Sequence, residues 1–238
     1  MRVHPLYWLF VVFAAGAQDP KIVIIWLLVS FVSILIHELG HALMMRRFGR
    51  QAHIVLYMMG GLAIEGSPNP YDSYYSPRGE RRTPWEQIYI SLAGPGAQLL
   101  LALLIYVFIR AMGGDVVIAL PEDGILPYLK MFRSDRMSDE LAILLNAALY
   151  FNTWWALVNL VPVYPLDGGQ IAMQLFTIRD PHGGQVRALQ LSIAAGVGMA
   201  VLFLTLGSWF TVMLFGSLAF SSYMAYMQIY GQGGGRYR

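Results

Sequence analysis

The chain has 238 residues, of which 57% are hydrophobic and 13% charged, with a formal net charge of +2 and no cysteine. Charge at roughly half the level of soluble domains marks an integral membrane protein and leaves no room for a sizeable soluble domain. The missing cysteines exclude disulfides, thiolate metal ligands and a cysteine nucleophile, and the small net charge gives no reason to expect a nucleic-acid partner.

The first apolar stretch, Pro5 to Ala17, is short for a bilayer crossing, which takes about 20 residues. No convincing small-residue cleavage site precedes Gln18-Asp19-Pro20, so it reads as an anchor, tilted, short or partly interfacial, rather than a removed signal peptide. After the turn Gln18–Lys21, the run Ile22 to Met45 carries only His37, Glu38 and His41 as ionisable side chains. A helix of that length spans about 36 Å at roughly 1.5 Å per residue, enough to cross a bilayer. Ionisable groups are costly there, so their default reading is functional. His37 and His41 are four apart and share one helix face, one turn from each other. This is the H-E-x-x-H arrangement, which places two metal ligands and a general base, Glu38, on a single helix. Arg46-Arg47 close the helix with cations suited to its C-terminus and to a membrane surface.

Gln51 to Glu65 has β-branched and aromatic residues and a Gly60-Gly61 pair read as a turn, and it is too short to span as a helix. The prediction is a short β-hairpin or re-entrant loop, with an interfacial connector as the alternative. Gly66 to Thr83, rich in Pro, Ser and Tyr, reads as a surface loop. Trp85 to Ile109 is a further span, with Ala93-Gly94-Pro95-Gly96 allowing close helix approach and Pro95 implying a kink. Met112 to Glu140 reads as a mixed-charge loop holding at most a short interfacial helix. Leu141 to Val161 is the next span and runs into Asn159-Leu160-Val161-Pro162-Val163-Tyr164-Pro165-Leu166-Asp167-Gly168-Gly169. Two prolines three apart break the helix, and broken backbone at membrane depth belongs in protein or beside a wet cavity. Asp167 then sits on a bend, either as a functional carboxylate or as a helix cap. Leu189 to Leu206 and Trp209 to Tyr230 are the last two spans, without acid, base or histidine, and read as scaffold or gate. The tail Gly231 to Arg238 is expected to be disordered. His4, His53 and His182 fall near predicted surfaces and read as solvated.

These elements make an all-α polytopic membrane protein of about six transmembrane helices, with a hairpin or re-entrant loop after the metal-binding helix. It is expected to be a single membrane-embedded domain over residues 1–238. With six spans, eleven Lys and Arg residues fall on one side and five on the other. The positive-inside rule then puts both termini and the inner ends of the H-E-x-x-H helix and of the span before Asp167 in the cytoplasm. Topology thus permits His37, His41 and Asp167 to meet.

Three landmarks, His37-Glu38-Leu39-Gly40-His41, Ala93-Gly94-Pro95 and the stretch Asn159 to Gly169, resemble in order and spacing the site-2 protease family of intramembrane zinc metalloproteases. The resemblance covers roughly residues 22 to 175. It implies one zinc ion per chain held by His37, His41 and Asp167, with Glu38 activating water. It also implies a role for Asn159 in substrate contact or oxyanion stabilisation, and a hairpin around Gly60 and Gly61 that offers its edge to an unwound substrate. Gln98 stands where many members have Asn. The implied substrate is a transmembrane protein within the lipid bilayer, cleaved in or near its membrane segment, with any regulatory membrane partner unidentified. The chain looks like a compact member without PDZ or CBS modules, compatible with a prokaryotic plasma membrane. Two competing readings are a non-proteolytic metal-binding scaffold or transporter, and a membrane zincin with a later Glu as third ligand. Transport would favour polar residues along several spans, and no intramembrane Glu follows the Ala93-Gly94-Pro95 segment.

Overall fold

The computed structural model describes residues 2–3, 19–50, 52–57, 60–65, 82–119 and 128–233. In chain order these form β1 (Arg2–Val3), α1 (Pro20–Arg47), β2 (Ala52–Tyr57), β3 (Gly60–Glu65), α2 (Pro84–Ala111), β4 (Asp115–Ala119), β5 (Tyr128–Phe132), α3 (Asp139–Asn159), α4 (Asp167–Arg179), α5 (Gly184–Thr205) and α6 (Trp209–Gly233). Among the described residues five helices, α1, α2, α3, α5 and α6, are long and apolar enough to cross a membrane. The expected span Pro5–Ala17 and nearly all of the expected loop Gly66–Thr83 lie outside the described residues.

The chain divides into two compact units, residues 1–80 with 93–156, and residues 81–92 with 157–238. In the first unit, α1 begins behind Asp19, whose carboxylate accepts from the Lys21 backbone N–H at 2.9 Å, with Pro20 in the first turn. Both devices favour a helix start. The exposed face of α1 is apolar, carrying Ile24, Leu28, Val32, Leu39 and Leu43, while Ser30, Ser33, His37, Glu38 and His41 are buried. The exposed set recurs at four- and seven-residue steps and the buried set mostly at three- and four-residue steps, so they form opposite stripes. Lipid-facing apolar residues with polar groups turned inward reverse the pattern of a soluble helix.

β2 and β3 pair antiparallel, from Ala52 opposite Glu65 to Tyr57 opposite Gly60. The predicted hairpin is therefore present, but Gly60 and Gly61 are the first residues of β3 rather than the turn. β1 adds to β2 in parallel, so β3 lies at one edge of a three-stranded sheet. Ile54 of β2 packs with Leu27 and Phe31 against the buried Ile34 of α1, and Phe151 of α3 joins that cluster.

Between α2 and α3 the expected loop is in part a second antiparallel hairpin, β4 with β5. Val116, Leu129 and Met131 dock on the buried cluster of Ala102, Ile109, Met137 and Leu149, which draws the strands onto the helix ends. α2 runs unbroken through Pro95.

In the second unit, α5 and α6 form a close pair. A Cβ at Gly196 would meet that of Ala219 at 2.9 Å, and Phe203 stacks on Phe215 with centroids 6.1 Å apart. Small residues permit such close approach between membrane helices. α6 continues to Gly233, so the first residues of the expected disordered tail are helical. Asp180 closes the turn from α4 to α5. Its carboxylate accepts from the backbone N–H groups of Gly183 at 3.0 Å and His182 at 3.2 Å. The Gly183 N–H above all, helped by His182 and Arg187, holds this carboxyl below the usual carboxylate range.

Candidate metal centre

The α-helical period alone brings His37 and His41 onto one face, and the fold buries both, with Glu38 between them, to 8% exposure or less. The rings stand edge to face with centroids 4.6 Å apart. Their Nε2 atoms approach to 3.0 Å, so both rings aim the same nitrogen at one point. At ordinary zinc–nitrogen lengths of about 2.0–2.1 Å, two donors so spaced would subtend about 91–97° at a metal, somewhat tighter than a tetrahedral angle of about 109°. The pair fits a zinc ion with little adjustment.

Two glycines make room for it. A Cβ on Gly94 of α2 would collide with the His41 ring and come within 2.8 Å of His37 Nε2. A Cβ on Gly40 would run into the Ala93 carbonyl. The Ala93-Gly94-Pro95 segment therefore does more than let helices approach, because the bare Gly94 backbone leaves the space the imidazole nitrogens face. His37 is also tied to α2 through Nδ1, 2.9 Å from Gln98 Oε1, and Gln98 Nε2 donates to the Ser33 carbonyl at 3.3 Å. The Asn152 amide of α3 donates to Ser33 Oγ at 2.9 Å.

Asp167 and Asn159 belong to the second unit. Asn159 is the last residue of α3. The chain then tightens into turns, with the N–H groups of Leu160 and Val161 donating to the carbonyls three residues back. Asp167 opens α4 and is 8% exposed. The bend folds back on the first turn of α4. A Cβ on Gly168 would strike the Leu160 and Val161 carbonyls, and one on Gly169 the backbone of Val163 and Tyr164. Glycine is thus required twice after the carboxylate. The prolines leave the Tyr164 backbone outside any helix, and two buried serines complete it. Tyr164 N–H donates to Ser192 Oγ of α5 at 3.1 Å, and the Ser222 hydroxyl of α6 is shared between the Tyr164 carbonyl and the Leu218 carbonyl of its own helix, both at 2.9 Å. In an apolar surround each unmet backbone group would cost about 1–3 kcal/mol. A polar ladder also reaches the bend, running from Arg82 to Gln87, from Gln87 Nε2 to Gln170 at 2.8 Å, and from Gln170 to the Pro165 carbonyl.

Residues 25–205 match the model of peptidase family M50. The chain belongs to that family. It is 28% identical over 182 residues to a Synechocystis protein assigned as the zinc metalloprotease sll0528, covering 76% of this chain and 38% of that one. It is 30% identical over 200 residues to a Mycobacterium tuberculosis protein assigned as the zinc metalloprotease Rip3, covering 78% and 40%. The chain thus spans about two fifths of the length of these curated relatives. Its fold is similar to the site-2 protease from Methanocaldococcus jannaschii, with a TM-score of 0.55 at 18% identity over 94% of this chain and 89% of that one. The fold class expected from the sequence is therefore the one found.

Sequence reasoning took Gly94 only for close helix approach and Gln98 only as a departure from the family pattern, and it passed over Ser192 and Ser222. Only Gln98, polar in the middle of an apolar span, carried a local signal.

Proposed function

We propose that this M50 chain is a zinc metalloendopeptidase that hydrolyses a peptide bond in or near a transmembrane segment of a membrane-protein substrate. The observation that carries the reading is the buried His37–His41 pair, Nε2 to Nε2 at 3.0 Å, with Glu38 beside it in a helix whose outer face is apolar. Asp167 is the third ligand. Its burial at the start of α4 and its two following glycines support a carboxylate held for coordination rather than simple capping. One zinc ion per chain follows from one such donor set. A zinc ion bound there polarises the scissile carbonyl and acidifies water.

The remaining steps belong to the chain's own residues. Glu38 takes the proton from the attacking water and delivers it to the departing amide nitrogen, so one carboxylate serves as base and then as acid. Asn159, at the end of α3, contacts substrate or supports the oxyanion. A helical substrate conceals its peptide bonds and must unwind. The edge strand β3, beginning at Gly60 and Gly61, offers main-chain pairing to an extended segment. The surplus of Arg on one side supports a cytoplasm-facing site with cytoplasmic termini.

The test is Glu38→Gln with a transmembrane substrate in proteoliposomes. The variant should keep its zinc and lose cleavage by about 100-fold to 10,000-fold, the range general acid–base groups supply. Cleavage at the wild-type rate would remove Glu38 from the chemistry.

A further inference from the structure

We propose that Gln98 is a positioning residue that fixes the tautomer of His37 and so presents a bare Nε2 lone pair to the metal. It deepens the zinc reading and rests on it for the affinity measurement alone. The amide is held at both ends. Its far partner is the Ser33 carbonyl, which can only accept, so the group facing Ser33 at 3.3 Å must be the Gln98 NH2. The atom facing His37 Nδ1 at 2.9 Å is then the Gln98 carbonyl oxygen, which also can only accept. His37 Nδ1 must therefore carry the ring proton, and neutral His37 has its lone pair on Nε2, the nitrogen aimed at His41 Nε2. The reverse amide orientation would set two acceptors face to face at Ser33 in a site where Gln98 is 0% and Ser33 1% exposed.

The arrangement is closed on itself. By the helical pattern the Ser33 carbonyl already receives the His37 backbone N–H four residues on, so Gln98 links the His37 ring to the helix turn that carries it. Asn152, 0% exposed, donates to both Ser33 Oγ and the Ala148 carbonyl and holds the serine from a third helix. Hydrogen-bonding the distal nitrogen of a liganding imidazole orients the ring and sets its tautomer, and loss of such a partner costs about 10–100-fold in metal affinity.

The first readout needs no metal. The chain is labelled with 15N-histidine in detergent micelles, stripped of zinc, and studied at about pH 8.5, above the ordinary imidazole range. The His37 signals, assigned by their loss in His37→Ala, should show the proton on Nδ1. Gln98→Glu, which keeps an acceptor there, should retain that form. Gln98→Leu should lose it and bind zinc about 10–100-fold more weakly in competition with a chelator. A wild-type His37 protonated at Nε2 would overturn the proposal without recourse to any variant. So would Gln98→Leu with the wild-type tautomer and zinc affinity. A wild type that bound no zinc would instead sink the metal reading, while the tautomer spectrum would still decide the role of Gln98.

Discussion

The two halves of the proposed donor set are held in opposite ways. His37 and His41 ride in the middle of a regular helix and are fixed side chain to side chain, through Gln98, Ser33 and Asn152. Asp167 follows a stretch where the helix has been broken, and what holds it is backbone: two glycines that let the chain fold on itself and two serines that satisfy Tyr164. A helix supplies donor spacing without cost, so only ring orientation has to be added. A bend supplies an approach that a helix cannot, but every peptide group it frees must be met inside an apolar medium. The two C-terminal helices, bare of acids and histidines, find their use there.

That contrast can be broken at several points. The largest effect is expected in the side-chain half. Gly94→Ala puts a methyl where the imidazole nitrogens converge, so zinc affinity should fall by about 100-fold or more, by analogy with lost ligand support, while helix content by circular dichroism stays at the wild-type level. An unchanged zinc affinity would mean that the rings do not face Gly94. In the backbone half, Ser192→Ala and Ser222→Ala each leave one Tyr164 backbone group unmet. Each should lower stability by about 1–3 kcal/mol in denaturant unfolding. The double variant should lose more than either single one and should weaken zinc binding through Asp167 rather than through the histidines. Wild-type stability in both single variants would show that the serines merely fill space. The smallest effect lies at the α4–α5 turn. Asp180 has its folded-state carboxyl lowered, so its contribution is present above the ordinary carboxylate range and fades as pH falls through the lowered value. Asp180→Asn should therefore melt slightly below wild type at neutral pH, and the two should converge in acid. A gap that widened in acid would reverse that sign.

The contrast also explains what could be read before the fold was known. His37, Glu38 and His41 stood out because ionisable groups in apolar spans are rare and because helical spacing fixes which of them share a face, whereas Asp167 was read from the bend it sits on and from the family resemblance. The broken helix at Pro162 and Pro165 was legible for the same local reason. Gln98 is 61 residues from His37, and its part depends on which helix packs where, something no periodicity encodes. Ser192 and Ser222 looked like ordinary small residues because their partner is a backbone group. The hairpin of β4 and β5 was hidden in a stretch of mixed charge, although Val116-Val117-Ile118 carried a short β-branched signal. The Gly60-Gly61 pair pointed to a hairpin but not to its register, which pairs these residues with Tyr57 and Leu56.

The most direct test of the joint donor set is zinc content per chain, measured on purified, folded wild type beside Asp167→Ala and the His37→Ala/His41→Ala double variant. The account predicts about one zinc in wild type, a reduced content in Asp167→Ala and none in the double variant, as three protein ligands require. A folded wild type without zinc, or an Asp167→Ala variant that binds it as tightly as wild type, would contradict it.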